Sequence, residues 1–131
     1  MNIPMDFELK LEPDKSFAIL TNHKDVTLPS IIERQRAMQK FAEKHGIYHF
    51  LLDTRGMSFC GTYVDLFRFA RKILPKEGFD STWKVALVTS PKDRSHDLLE
   101  LFTHNAGYQV KIFTDYDEAQ VWLRWKANGQ Q

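Results

Sequence analysis

Apolar and polar positions change period several times along the chain, and each period predicts an element. Met5, Phe7, Leu9 and Leu11 alternate with Asp6, Glu8 and Lys10, the mark of a strand with one wet face. Pro13-Asp14-Lys15 supplies turn chemistry, and Phe17 to Leu20 predicts a second strand, antiparallel to the first. The period then lengthens. Pro29 and Ser30 open a predicted helix in which Ile31, Met38, Phe41 and Ala42 share one side, Arg36, Lys40 and Glu43 share the other, and Gly46 is the stop. Ile47, Tyr48, Phe50, Leu51 and Leu52 form a nearly unbroken apolar run, as expected of a central strand covered on both faces, and Asp53 ends it. After the polar loop Thr54-Arg55-Gly56-Met57, an aromatic-rich helix is predicted from Ser58 to about Leu74, with Pro75 and Gly78 as its end signals.

The second half continues the alternation. Val85 to Val88 predict a short buried strand. Ser90, with Pro91 and Asp93, resembles a capping box, and a helix start nearer Ser95 fits equally well. Leu98, Leu99, Leu101 and Phe102 are the expected buried side of that helix, closed by Asn105-Ala106-Gly107. Val110, Ile112 and Phe113 predict the last strand. Thr114 is then the expected cap of a final helix, with Asp115, Asp117 and Glu118 favourable at its positive N-terminus and Ala119, Trp122 and Leu123 turned inward. The order β-β-α-β-α-β-α-β-α argues for a single α/β domain over 1–131. Its architecture is a mixed, mostly parallel five-stranded sheet with four helices and right-handed crossovers.

Composition changes this picture little. Hydrophobic residues make up 43% of the 131, and 18 Lys and Arg offset 17 Asp and Glu, so no global charge draws the chain to nucleic acid or membrane. Arg34, Arg36, Lys40 and Lys44 crowd the first helix, but Glu33 and Glu43 interrupt them, which reads as a solvated face and not as a nucleic-acid interface. The start MNIPMDFELK lacks a basic segment followed by an apolar one, so no leader is expected. A cytoplasmic location follows as the expectation.

Catalytic and metal chemistry find no pattern. His23, His45, His49, His96 and His104 lack metal-ligand spacing, and His96 and His104 are expected on the wet side of their helix. Gly56 and Gly61 do not make a phosphate-binding fingerprint, and the lone Cys60 beside Phe59 reads as a small core residue. No catalytic residue, metal or cofactor is expected.

Two stretches remain as candidate sites. At about 100° per residue, Phe59, Tyr63, Leu66, Phe67, Ala70, Ile73 and Leu74 form one stripe of the aromatic helix, with Phe69 at its margin. Asp65, Arg68, Arg71 and Lys72 lie opposite. The stripe either seals the sheet or walls an apolar ligand site, with Phe59, Tyr63, Leu66, Phe67, Ala70 and Leu74 as the wall. A third alternative is that the basic side lies near an anionic membrane surface. Swinging five or six such side chains into water would cost on the order of 10 kcal/mol, so the helix is expected to stay closed unless a lipid, membrane or partner covers it. The second stretch is the rim beyond the strands' carboxyl ends, where Asp53, Thr54, Arg55, Thr89 and Ser90 are placed to hold a polar head group. Ordinary capping and an Asp53–Arg55 ion pair explain the same residues. Trp125, turned away from the Trp122 side, either covers a neighbouring element or is a candidate homodimer contact.

The segments LLDTRGMSF, KVALVTS and KIFTDYDEAQVWL, with the element order from about Phe7 to Trp125, resemble the SpoIIAA-like (STAS) family. The likeness is to an uncharacterised bacterial branch that is also similar in fold to CRAL-TRIO lipid-carrier domains. It implies a non-catalytic module that binds a lipid-like molecule, peripherally at the inner membrane face. The alternative it implies is a regulatory module acting on a protein partner, as anti-sigma factor antagonists do. Those members are switched at a serine in an Asp-Ser-Ser-Gly turn. Cys60-Gly61-Thr62-Tyr63-Val64 stands there instead, placing Thr62 near the phosphoacceptor position.

Overall fold

A computed structural model describes residues 6–125; Met5, expected in the first strand, lies outside them. Strands β1 (Phe7–Leu11), β2 (Ala18–Asn22), β3 (His49–Asp53), β4 (Lys84–Val88) and β5 (Gln109–Phe113) form one sheet in chain order. β1 runs antiparallel to β2, and every later pair is parallel. The predicted architecture is the observed one. β3 starts at His49, leaving Ile47 and the exposed Tyr48 in the lead-in, because pairing with β4 begins at His49 opposite Lys84.

Helix α1 (Leu28–His45) follows β2 and helix α2 (63–76) follows β3. Helix α3 (Asp97–Asn105) lies between β4 and β5, and helix α4 (Tyr116–Arg124) follows β5. Three right-handed crossovers stepping the same way along the sheet must lay their helices on one face. Met38 and Ala42 of α1, Leu66, Phe69 and Leu74 of α2, and Leu99 of α3 accordingly share a core with Leu20, Phe50, Leu52, Val85 and Leu87. The last helix has no strand to reach and folds onto the opposite face, where Ala119 and Leu123 meet Phe17, Leu51, Ala86 and Val88. β3 lies at the centre, and its Phe50 and Leu51 are fully buried on opposite faces.

Local chemistry sets the helix ends. Thr27 caps α1 through a capping box with Ser30: its hydroxyl accepts from the Ser30 N–H, and the Ser30 hydroxyl accepts from the Thr27 N–H at 2.8 Å. Gly46 closes α1 in the left-handed region at φ 67°, where a Cβ is disfavoured.

Of the two starts expected for the helix after β4 the one nearer Ser95 is observed, and the expected cap of the last helix is corrected. The Ser90–Asp93 capping box does not form, and α3 begins at Asp97. The Ser90 hydroxyl accepts from the Gly56 N–H, and the Asp93 carboxylate accepts from both the N–H and the hydroxyl of Ser95. In α3, Leu99 and Thr103 are buried, while Leu98 and Leu101, expected in the core, are 40% and 49% exposed. Asp115, not Thr114, caps α4. Trp122 is only partly buried, beside Phe113, and Trp125 is exposed with the Lys84 ammonium 5.5 Å from its ring centre.

Candidate functional site

The rim is built where β3 and β4 end. The Thr54 N–H and hydroxyl both donate to the Val88 carbonyl, at 2.9 Å each, which fixes the turn against β4. Arg55 folds back on Asp53 with Nε donating to Oδ1 at 2.9 Å and Nη2 to Oδ2 at 2.8 Å, and its guanidinium lies 5.0 Å from the Tyr116 ring centre. Ser90 reaches the Gly56 N–H, and the Thr89 hydroxyl is buried without a hydrogen-bond partner among the described residues. The structure therefore brings Asp53, Thr54, Arg55, Thr89 and Ser90 together. The two charged members spend their hydrogen bonds on each other.

That pair makes a pH prediction. The Arg55 hydrogen bonds hold the Asp53 carboxyl below its usual range, so the stability they confer is present above that range and is lost as pH falls through the folded value. On the other face, burial pushes the His49 imidazole down. The unfolded chain then takes up that proton first, and stability drops as pH falls through the ordinary histidine range near about 6.5. Urea unfolding against pH is expected to show two acid-side losses. His49→Gln removes the upper one and Asp53→Asn the lower; an unchanged profile in both variants contradicts this assignment.

Between rim and helix, the chain from Ser58 to Gly61 is not helical. Val26 and Phe59 form a parallel bridge in which the Val26 N–H donates to Ser58 O and the Cys60 N–H to Val26 O. The Phe59 N–H donates to the Ser95 hydroxyl. With this backbone already committed, the helix expected from Ser58 starts at Tyr63, and the exposed Thr62 caps it in a capping box with Asp65. Cys60 is exposed, not a core residue, with Sγ 3.9 Å from Asp25 Oδ2.

α2 is composite: α-helical over Tyr63–Arg68, π-helical over Phe69–Ile73 and α-helical again over Leu74–Lys76. Leu74 donates to the Phe69 carbonyl five residues back. Pro75 does not end the helix as expected, because the wide turn before it relieves the clash between its ring and a carbonyl four residues back. The predicted wall is corrected in part. Phe59, Leu66, Ala70 and Leu74 are buried, and so is Phe69, expected at the margin. Tyr63 and Phe67 are 65% and 47% exposed. The buried face centres on Leu66, Phe69 and Ala70. Tyr63 overhangs it in the first turn, and Phe67 sits on the seam with α3, 5.5 Å from the Phe102 ring.

Under this helix lies a cavity of about 50 Å³ between the sheet and α1, α2 and α3. Leu52, Phe69, Leu74, Leu87 and Leu99 line it together with Asn22, Arg34, Gln35, Thr54, His96 and Thr103. Leu74 is the one residue of the predicted wall that reaches it, and Thr54 the one residue of the predicted rim. Most of these polar groups have partners in the fold. The Thr103 hydroxyl donates to Leu99 O at 2.6 Å, and His96 Nε2 lies 3.3 Å from Met57 O.

Arg34 and Gln35 are different. Arg34, expected on a solvated face, is 2% exposed and donates to Asn22 Oδ1, Ser30 O and Asp6 O. Burial pushes its guanidinium pKa down. Gln35 is 2% exposed, and its Nε2 has no hydrogen-bond partner among the described residues. His96, also expected in solvent, is 3% exposed because the late start of α3 leaves it in the loop against Met57. The sequence did carry a signal for the first two: Ile31, Arg34, Gln35, Met38 and Ala42 follow one helical stripe, so two polar residues fall inside the apolar repeat.

Among the described residues, no His, Cys, Asp and Glu cluster is able to hold a metal, and no helix is long and apolar enough to cross a membrane. Comparison with protein-family models, curated proteins and solved structures gives no match.

Proposed function

We propose that the chain is a non-catalytic, SpoIIAA-like module that takes a small hydrophobic or amphipathic molecule into the cavity between the sheet and α1, α2 and α3. One observation carries this reading: an apolar cavity whose neighbouring residues include the buried Arg34 and Gln35, the second with an unpartnered amide nitrogen among the described residues. Buried polar groups in a core that serves only packing are almost always satisfied. The cavity, at about 50 Å³, is well below the roughly 300–1,000 Å³ of drug-sized ligand sites. A longer lipid-like occupant therefore requires α2 to yield, and the π turn at Phe69–Ile73 marks where it does so.

Native mass spectrometry of protein purified from its own host tests this. A small molecule that stays bound in the native spectrum and is released on denaturation is the expected result. An empty chain contradicts the proposal, and a stoichiometric protein partner favours the regulatory module instead.

A second reading, peripheral membrane contact, is supported by the outer side of α2. Tyr63, Val64 and Phe67 are exposed there without any opening, and Arg68, Arg71 and Lys72 are exposed on the same helix. Each basic side chain near an anionic surface contributes about 1 kcal/mol. Co-sedimentation with anionic vesicles is expected, and replacing Tyr63 and Phe67 together by serine is expected to weaken it about tenfold or more. Equal sedimentation of the variant and the parent protein removes the membrane reading.

A further inference from the structure

Two exposed apolar surfaces lie on opposite sides of the sheet, and they carry opposite charge. On the side of the three helices, Tyr63, Val64 and Phe67 of α2 are exposed together with Arg68, Arg71 and Lys72, and the Arg71 guanidinium lies 6.0 Å from the Phe67 ring centre. On the other side, α4 and the end of β5 form a shallow groove. Its apolar lining is Phe113, Val121, Trp122 and Trp125, and its acidic lining includes Asp117 and Glu118. The Lys84 ammonium donates to the Trp122 and Trp125 carbonyls at 3.1 and 3.0 Å, which fixes the aromatic end of the groove. Lys111 is the basic member of the lining, with its ammonium 5.3 Å from the Phe113 ring centre. Arg68, Arg71, Lys72, Asp117 and Glu118 enter no ion pair among the described residues. The chain's 18 basic and 17 acidic side chains nearly cancel, so the separation of charge between the two surfaces does not follow from a net excess.

We infer that the α2 surface of one molecule docks in the α4 groove of a second copy of this chain. Tyr63 and Phe67 then meet Trp122 and Trp125, and Arg68 and Arg71 face Asp117 and Glu118. The inference does not depend on the cavity being a ligand site. A membrane covers the α2 surface alone, and a basic partner covers the groove alone; a second copy accounts for both, because one surface is apolar and basic and the other apolar and acidic. The two surfaces lie on opposite sides of the sheet, so each molecule keeps one of them free after a single contact. The contact is therefore heterologous and propagates head to tail. A short helix in a shallow groove belongs to the small interfaces, below about 1,200 Å². Association is accordingly weak, and salt screens its charged part.

The test is sedimentation of the full chain over a concentration series at about 20 mM and about 500 mM salt. The average mass is expected to rise past that of a dimer at low salt and to fall back toward the monomer at high salt. Arg68→Glu with Arg71→Glu alters one surface, and Asp117→Lys with Glu118→Lys alters the other; all four side chains are exposed. Each double variant is expected to associate about tenfold or more weakly than the parent chain. An equal mixture of the two is expected to recover association, since each supplies the surface the other has lost. If the charge change in the first turn of α4 costs the fold, Trp125→Ser takes its place in the mixture. A chain that stays monomeric throughout, association unchanged by salt and by both variants, or a mixture no better than its components each overturns the inference. Association that appears only on anionic vesicles assigns the α2 surface to the membrane and overturns it as well.

Discussion

Replacing Phe69 by alanine is expected to cost the fold about 3–5 kcal/mol, the usual range for truncating a buried phenylalanine. The ring is 4% exposed, belongs to the core between the sheet and its three helices, and lines the cavity. Truncation therefore removes apolar contacts and enlarges a void already present, and both effects act in the same direction. Against a typical domain stability of about 5–15 kcal/mol, the variant stands near the limit of folding. Phe69→Leu, with a smaller loss, keeps the comparison measurable. Urea unfolding gives the size of the effect and hydrogen exchange its location: faster exchange should concentrate in 63–76, since the ring anchors the π turn there. A loss below about 1 kcal/mol means that α2 is not packed as described.

The second large effect has the opposite sign. Gln35→Leu is expected to stabilise the protein by about 1–2 kcal/mol, although most substitutions destabilise. The amide nitrogen is desolvated with no partner, so the fold carries the penalty of burying it and gains no bond in return. Leucine occupies a similar volume in the stripe shared with Ile31 and Met38 and brings no such penalty. Proteins commonly keep a residue of this kind where function needs it, at some expense in stability. Thermal and urea unfolding decide the sign. A variant less stable by about 1 kcal/mol or more would mean that Gln35 is satisfied within the fold, and the cavity would lose its main claim to be a binding site.

Elements and their order were legible because they depend on local periodicity. Alternation at Phe7–Leu11, the apolar run through Phe50–Leu52, the stop at Gly46 and the acidic first turn of α4 are each a property of a few neighbouring residues. The mixed sheet followed from that order with only the handedness rule added. Errors arose where a local group was claimed by a distant one. Of the two starts open for α3, the Ser90 one fails because that hydroxyl accepts from Gly56 across the rim; Ser58 and Cys60 fall in the predicted helix, yet their backbone is tied to Val26.

The candidate sites divide in the same way. Asp53, Thr54, Arg55, Thr89 and Ser90 were placed together by the sequence, because parallel strands must end on one rim. The cavity was not, since the volume left between a sheet and three helices depends on how their side chains fill it. Periodicity settled which residues alternate, where the helices stop and how the strands follow one another. Only tertiary packing turned Phe69 in and Phe67 out, buried Arg34 and left Gln35 without a partner, because burial is a relation between faces of different elements and no single helix contains it.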